Sequence, residues 1–432
     1  MYTHRFLRIL TLFLVVCLVF LFIALPPPFH VHARSSSMLH AARPTISTSC
    51  PSPGTARAAF MPPLTLGTHP TIVYRVNEFS HTTPTLGTLN RDDVVTGGKV
   101  DIVKLAKTTI SEAQVSADGQ WSMFVAQVSG HNKLQLVRMD GRFLQTLYCG
   151  NPSHVQWSTN QQLAVFEDAQ GVYLLNVASG VVQLELTVRG APPGISNAHP
   201  RTWLDTTRVY VTLEGTDAPP EMLAILDTSK GPNQKVQSLQ QVFDANTSNP
   251  FCWDFDSSFD ATKLFVSQCT NGPANGPGGG PAHGPSVITV RPPTGGPYTY
   301  LYVNQDQAFT AVRAVTSNTL LFTVDNASGG TSPNGLWKVN TDGTGPLRLA
   351  IVGVGVSGVG DVNLCPFTQF PWSNVSRDGK MYALQINHTG GTAPQKPVDL
   401  VFGSLSSSEQ PTIFESSSNA GIELAVVGWT TT

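Results

Sequence analysis

A unit of four short strand-like runs recurs along most of this chain, and the recurrence limits the fold more than any other feature. In the clearest copy, residues 110–148, a run that ends in Ser-Ala-Asp-Gly is followed by WSMFVAQV, KLQLVRMD and FLQTLYC, with turn residues at the breaks. No stretch of useful length has the 3.6-residue period of a helix. Repeats of roughly 40 to 60 residues with four strands each are typical of a β-propeller. The sequence therefore predicts an all-β propeller.

The number of copies predicts seven blades, and six or eight blades are also compatible because two copies are irregular. The segment GIELAVVGWTTT, residues 421–432, matches an inner strand with no blade after it. The folded part opens at Thr71 with runs that match the other three strands of a blade. We expect the C-terminal strand to complete the N-terminal blade and close the ring. Stacking in a ring covers both faces of each sheet, which a single sheet cannot do.

Two Asp-Gly pairs, at 118–119 and 378–379, are expected to turn the chain between the first two strands of their blades. A tight hairpin turn of the primed type requires positive φ, which glycine adopts at no steric cost. The pairs at 140–141 and 342–343 are expected to do the same between the third and fourth strands.

An apolar run, residues 6–25, precedes the sequence PPPF near the N-terminus. Its last 17 residues contain one polar side chain, Thr11, and two arginines lie near its start. This composition predicts an apolar helix over residues 1–25, either an uncleaved signal-anchor or a signal peptide cleaved after Ala33. We expect the anchored form, with secretion after cleavage as the alternative. The positive flank then places the chain beyond residue 30 outside the cytoplasm.

Residues 26–70 are rich in Pro, Ser, Thr, Ala and His and lack apolar periodicity. This composition predicts an extended linker that holds the propeller, residues 71–432, away from the membrane surface.

The six cysteines include no CxxC pair and no Cys/His cluster, which argues against a structural zinc site. Cys252 and Cys269 flank a turn centred near Asp260-Ala261, so a hairpin would place them opposite each other. Either a disulfide joins them or both are buried thiols that pack as small apolar residues. Cys50 falls in the linker.

Charged residues make up 12% of the chain, and the formal net charge is -2. The low charged fraction argues against a disordered tail protein and against a coiled coil. Without a basic field to neutralise phosphates, nucleic acid is not an expected partner.

The turns SADGQW and SRDGKM resemble those in the repeats of TolB-type, WD40-like bacterial β-propellers. The resemblance covers residues 71–432 and weakens where Asn160-Gln161, Thr206-Thr207 or Asn318-Thr319 replace Asp-Gly. It implies a fold and not an activity, since similar propellers bind proteins, gate serine peptidases or hold saccharide-cleaving sites. A gated peptidase would also need an α/β-hydrolase domain of roughly 200 residues, which we do not expect here.

Candidates for chemistry are few, and no catalytic residue, metal ligand or cofactor is assigned. The histidines are scattered without HExxH spacing and are expected to be solvated. Acidic residues expected near the mouth of a central channel could carry out acid–base chemistry; they are Asp205, Asp254, Asp256 and Asp260.

We predict an exported, membrane-anchored and monomeric propeller that serves as a non-enzymatic scaffold, binding a protein or envelope ligand at the cell surface. The binding residues are unassigned, although the Gly/Pro-rich segment 271–293 is a candidate partner contact. The alternative is a propeller enzyme, a glycan hydrolase or lyase, with acidic residues at the channel mouth. Convergent polar side chains in one deep pocket would favour the enzyme.

Overall fold

The computed structural model describes the chain in ranges that together cover most of the predicted propeller. They are 49–51, 63–65, 67–187, 195–215, 222–230, 235–239, 254–271, 282–305, 308–325, 335–351, 362–363, 371–387, 398–417, 419 and 421–431. The predicted N-terminal helix lies outside these ranges. Within them, no helix is both long enough and apolar enough to cross a membrane.

Within the described residues the strands form seven antiparallel sheets of four strands each, which we call blades 1 to 7. Blade 1 contains β1 (Thr71–Ser80), β2 (Thr83–Asp93) and β3 (Lys99–Ala106). Blade 2 contains β4 (Thr108–Val115), β5 (Trp121–Val128), β6 (His131–Arg138) and β7 (Gln145–Gly150). Blade 3 contains β8 (Ser153–Trp157), β9 (Leu163–Asp168), β10 (Gly171–Asn176) and β11 (Val182–Thr187). Blade 4 contains β12 (Ile195–Trp203), β13 (Arg208–Gly215), β14 (Met222–Asp227) and β15 (Val236–Ser238).

The last three blades follow the same order along the chain. Blade 5 contains β16 (Asp254–Ser257), β17 (Leu264–Asn271), β18 (Ala282–Arg291) and β19 (Thr299–Asn304). Blade 6 contains β20 (Ala308–Thr316), β21 (Thr319–Asp325), β22 (Gly335–Asn340) and β23 (Leu347–Ile351). Blade 7 contains β24 (Val362–Asn363), the helix α1 (Pro371–Asn374), β25 (Met381–Asn387), β26 (Val398–Ser404) and β27 (Thr412–Ser417). The last strand, β28 (Ile422–Thr430), pairs with β1 and is the fourth strand of blade 1.

The apolar core is divided among the contacts between blades. The described residues contain seven buried apolar clusters, and each draws side chains from two neighbouring blades, with blade 7 packing on blade 1. Trp157 and Trp429 are almost completely buried in two of these clusters. The tryptophans therefore pack between blades, as large aromatic side chains do in protein cores.

The turn between the first two strands of a blade uses one recurring set of hydrogen bonds. In blade 2 the Ser116 hydroxyl donates to Asp118 Oδ1 at 2.5 Å and accepts the backbone N–H of Trp121 at 2.9 Å. Gly119 has a φ of +73°, whereas Asp118 does not have a positive φ. The prediction of a primed turn is therefore wrong, because a primed type I turn would need positive φ at both residues. The same pattern of bonds recurs at 158–161, 258–261 and 376–379.

Replacing Gln161 with glycine is expected to stabilise the protein by about 0.5–1 kcal/mol. Gln161 has a φ of +62° where blades 2 and 7 have glycine. The left-handed backbone costs a side-chain-bearing residue about 1–2 kcal/mol, which exceeds the extra chain entropy that glycine loses on folding. Urea unfolding measures the change. Gln162→Gly is the matched control and should lose stability, so an equal loss in both variants would contradict the explanation.

Several residues of the predicted linker contact the propeller, among them Cys50, Leu64 and His69. The Leu64 N–H donates to Gln120 Oε1 at 2.6 Å, and its side chain packs on the cluster between blades 1 and 2. Cys50 forms a disulfide with Cys149 of β7, with their Cα atoms 5.6 Å apart. This disulfide was not predicted from the sequence. Cys252 lies outside the described residues, so its pairing with Cys269 stays a prediction.

Candidate functional site

Four side chains converge where blades 3 and 4 meet, and we call them the His–Glu cluster. His154 and Glu167 lie on β8 and β9, whereas His199 and Glu214 lie on β12 and β13. Glu167 Oε2 lies 3.0 Å from His154 Nδ1 and 2.7 Å from His199 Nδ1. The other ring nitrogen of His199, Nε2, lies 3.2 Å from Glu214 Oε1. Residues far apart in the chain thus form one polar site.

Neighbouring polar groups hold this cluster in place. The two carboxylate oxygens of Glu112, on β4, accept the backbone N–H groups of His154 and Val155, each at 2.9 Å. Because His154 has a φ of +50°, its backbone is in a conformation that costs a non-glycine residue on the order of 1 kcal/mol or more. Asn197 donates from Nδ2 to Glu214 Oε2 at 3.0 Å. The surrounding fold therefore fixes both ends of the cluster.

The cluster is electrostatically paired. Burial alone would raise the pKa of Glu167, but hydrogen bonds and charges from the two histidines outweigh burial and lower that pKa to about 2. The hydrogen bond with Glu167 raises the pKa of His199 above its usual value, and a hydrogen bond with Glu214 adds to this effect. Burial opposes both bonds but does not cancel them. A hydrogen bond from Asn197, together with the contact to His199, lowers the pKa of Glu214. Hydrogen bonds and charge interactions thus link Glu167, His199 and Glu214 in one chain.

A polar cleft of about 740 Å³ opens beside the cluster and shares Glu167 with it. One of its acids, Asp168, is held by the Tyr148 hydroxyl, which donates to Asp168 Oδ2 at 2.6 Å. The lining is mainly polar and includes Asn151, Ser153, Asp168, Gln170, Ser196 and Asn197. The lining residues on strands belong to blades 3 and 4, and Tyr148 on β7 of blade 2 holds one of them, Asp168.

A second, wider groove of about 1020 Å³ lies between blades 1 and 2. Asn77 connects these blades there, because its Oδ1 accepts the N–H of Ile110 at 2.8 Å and its Nδ2 donates to Ile110 O at 3.0 Å. The groove is lined by both apolar and polar groups, including Arg75, Phe79, Pro84, Lys107, Thr109 and Glu423.

The four acids proposed from the sequence do not form a common site. Asp254 and Asp256 are buried and accept backbone N–H groups of β20 in the next blade. Asp205 accepts the N–H groups of Thr207 and Arg208 within its own turn. Asp260 is exposed and accepts bonds from its own turn. These carboxylates therefore organise turns and blade contacts.

The structure corrects the expectation for two histidines and leaves the prediction for the Gly/Pro-rich segment untested. The histidines at 154 and 199 are partly buried and are brought together, which corrects the expectation of solvated, scattered histidines. Residues 272–281 of the Gly/Pro-rich segment 271–293 lie outside the described residues, so the role of this segment as a partner contact stays a prediction.

The order of strands and the seven interblade cores define the class: this chain is a seven-bladed β-propeller. No protein-family profile and no curated protein sequence matches it. Solved structures with a similar fold include TolB from Acinetobacter baumannii, with 12% identity, a TM-score of 0.39 and coverage of 65% of this chain and 63% of that chain. A TolB structure from Agrobacterium tumefaciens has 12% identity, a TM-score of 0.39 and coverage of 64% and 88%.

A puromycin-hydrolysing peptidase from Mycobacterium tuberculosis is also similar, with 14% identity and a TM-score of 0.45, over 75% of this chain and 51% of that chain. The match thus spans about half of the peptidase and less than two thirds of the Acinetobacter protein. The resemblance to TolB-type propellers noted from the turns has its counterpart in these structures. At this level of identity the likeness is one of fold.

Proposed function

We propose that this protein is exported, is anchored in the membrane by residues 6–25, and works as a non-enzymatic scaffold that binds a protein or an envelope ligand. The propeller supplies a rigid ring, and the cleft beside the His–Glu cluster supplies a recognition site. The linker before the propeller would hold this site away from the membrane.

The binding role is supported by what the acidic side chains on the inner strands do in the described residues. Glu112, Asp254 and Asp256 each accept backbone N–H groups from the first strand of the next blade. A carboxylate held in this way stabilises the ring and is poorly placed to move protons on a substrate. Glu423 is exposed and lines the groove between blades 1 and 2. The acids on the inner strands thus favour binding over glycan cleavage at the channel mouth, whereas the polar side chains that converge beside the cleft at Glu167 are the observation that favours the alternative enzyme.

The Cys50–Cys149 disulfide supports the proposed export. Structural disulfides form and persist in oxidising compartments, and thiols in the cytosol are kept reduced. The apolar run at residues 6–25 is the segment that would direct the chain across the membrane.

Ligand binding in the cleft can be tested by blocking it. The full-length protein is screened with envelope glycans and peptides, and a specific ligand should raise its thermal midpoint by mass action. Thr187→Trp, at an exposed position that lines the cleft, should abolish the shift. Thr412→Trp, at an exposed position on β27, is the matched control and should leave it unchanged. Turnover of the ligand would instead support the enzyme, and equal shifts in all three proteins would place binding elsewhere.

Export and anchoring can be tested separately. A C-terminal tag should be cleaved by protease added to intact cells, and the protein should stay in the membrane with Met1 retained. Val15→Arg together with Val19→Arg should abolish both results, since an arginine in the middle of a spanning helix costs about 2.5–3.5 kcal/mol. The control replaces the same two valines with leucine. A chain that begins at Arg34 would instead establish secretion, and a tag that stays protected would overturn export.

A further inference from the structure

We propose that His154, Glu167 and His199 bind one divalent transition-metal ion, with Zn²⁺ as the best match, at the junction of blades 3 and 4. Each residue offers one ligand atom, and within the described residues these three atoms all lie within 4.8 Å of one another. Two imidazole nitrogens and one carboxylate oxygen form a donor set that suits zinc and other late first-row metals. Calcium and magnesium prefer oxygen ligands alone.

The distances between the ligand atoms are close to those of a zinc site. Zn–N and Zn–O bonds are about 2.0–2.2 Å, so ligand atoms in a tetrahedral site lie about 3.3 Å apart. Glu167 Oε2 lies 3.0 Å from His154 Nδ1 and 2.7 Å from His199 Nδ1. A widening of a few tenths of an ångström by side-chain rotation would admit the ion. The side chains are 27%, 19% and 15% exposed for His154, Glu167 and His199, so the site is sheltered but reachable.

The groups around the three ligands are those that zinc sites use. Histidine ligands usually donate their second ring N–H to a carboxylate, which fixes the tautomer that leaves the other nitrogen free for the metal. His199 has this partner, because its Nε2 lies 3.2 Å from Glu214 Oε1. Asn197 in turn donates to Glu214, and Glu112 holds the backbone of His154. The outer contacts thus present Nδ1 of His199 toward Glu167.

Three protein ligands leave a tetrahedral zinc with one position for water or a ligand atom. Glu167 also lines the polar cleft, so an ion bound to it would lie next to that cleft. The metal site itself requires only the three side chains. Its use in recognising a ligand rests on the proposed function, which the glycan and peptide screen tests independently.

The direct test measures metal binding by the full-length protein without any other ligand. After removal of metals with a chelator, titration with ZnCl₂ should give one tight equivalent and raise the thermal midpoint. MgCl₂ and CaCl₂ should have no such effect. His199→Ala and Glu167→Gln should each weaken Zn²⁺ binding by more than about 100-fold, which exceeds the usual cost of losing an outer-shell partner. His131→Ala, at an exposed histidine in blade 2, is the control and should bind as the native protein does.

Glu214→Gln keeps the test decisive if a ligand variant fails to fold. It retains the shape of the side chain and should weaken Zn²⁺ binding by about 10- to 100-fold, as loss of an outer-shell carboxylate does. Bound Co²⁺ should give the visible absorption bands of a site with nitrogen and oxygen ligands, and His154→Ala should change them. Absence of zinc binding by the native protein would overturn the proposal, as would unchanged binding in folded Glu167→Gln and Glu214→Gln variants.

Discussion

Replacing Asp254 with asparagine is expected to lower the free energy of unfolding by about 3–5 kcal/mol at neutral pH. Asp254 Oδ2 accepts the Val312 N–H at 2.9 Å and forms an ion pair with the Arg313 guanidinium. Both charged side chains are buried, at 9% and 7% exposure for Asp254 and Arg313. Asparagine can still accept the backbone bond, but it removes the anion closest to a buried cation. Urea unfolding measures the loss.

Asp256→Asn, only two residues away, should have the opposite effect above neutral pH. Its Oδ2 accepts the Ala314 N–H at 2.9 Å, which an asparagine oxygen can also do. Among the described residues, two buried carboxylates face one guanidinium here, so one carboxylate is in excess. Burial, opposed mainly by the Arg313 charge, raises the pKa of Asp256 to about 7. At about pH 8 the native protein must bury this extra charge, and the variant should be more stable by on the order of 1–3 kcal/mol.

The pH dependence gives the sign of this prediction. A carboxyl group whose pKa is raised by folding stabilises the protein below its unfolded value of 3.8, and this contribution is lost as the pH rises through about 7. The advantage of Asp256→Asn over the native protein should therefore be near zero at about pH 3.5, grow as the pH rises from 3.8 to about 7, and have its full size at about pH 8. Asp260→Asn is the control. Asp260 is exposed, and hydrogen bonds within its turn lower its pKa, so this variant should not gain stability as the pH rises. If Asp256→Asn is less stable than the native protein at both pH values, the excess-charge explanation is wrong.

The propeller and its number of blades could be predicted from the sequence because they are repeated. Each copy contains the same order of short apolar runs and turn residues. A single copy is weak evidence for a four-stranded blade, but seven copies together indicate a propeller. The irregular copies fold in the same way because the turn depends on side-chain hydrogen bonds as well as on glycine. Asn160 replaces the aspartate and accepts the Ser158 hydroxyl at 2.8 Å, as Asp118 does for Ser116 in blade 2.

The His–Glu cluster could not be predicted in the same way, because it joins residues of two different copies. His154 and His199 each lie on the first strand of a blade, and only the angle between neighbouring blades brings their rings to 4.5 Å. Motifs such as HExxH are readable because both histidines share one helix. Aligning the copies by their first strands would have placed both histidines on neighbouring inner strands, which is the one signal the sequence contains.

The roles of Asp254 and Asp256 were equally hidden in the sequence. Both acids alternate on a strand next to the predicted channel, which is compatible with a catalytic pair and with a structural one. The difference is decided by β20 of the next blade, whose backbone N–H groups at Val312 and Ala314 meet the two carboxylates. Contacts between blades, unlike the strands themselves, leave no periodic pattern in the sequence.

Loss of the Cys50–Cys149 disulfide is expected to lower the free energy of unfolding by about 2–5 kcal/mol. The bonded cysteines are separated by 99 positions, and cross-linking a loop of this length removes much of the freedom of the unfolded chain. This loop includes all of β1, β2 and β3, so it ties blade 1 to blade 2 independently of the pairing between β1 and β28. Urea unfolding with and without a reducing agent measures the effect, in the native protein and in a Cys50→Ser, Cys149→Ser double variant.

The double variant also separates the observed disulfide from the one predicted from the sequence. If Cys50–Cys149 is the disulfide that stabilises the protein, the reductant should destabilise the native protein to the level of the double variant and should not affect that variant further. A further loss in the double variant would reveal a second disulfide, for which Cys252 and Cys269 are the candidates. Free thiols at Cys50 and Cys149 in protein recovered from its own host would contradict the bond and would remove the main structural support for export. Because oxidation at these positions requires an oxidising compartment, the same thiol measurement links the stability of blade 1 to the location of the protein.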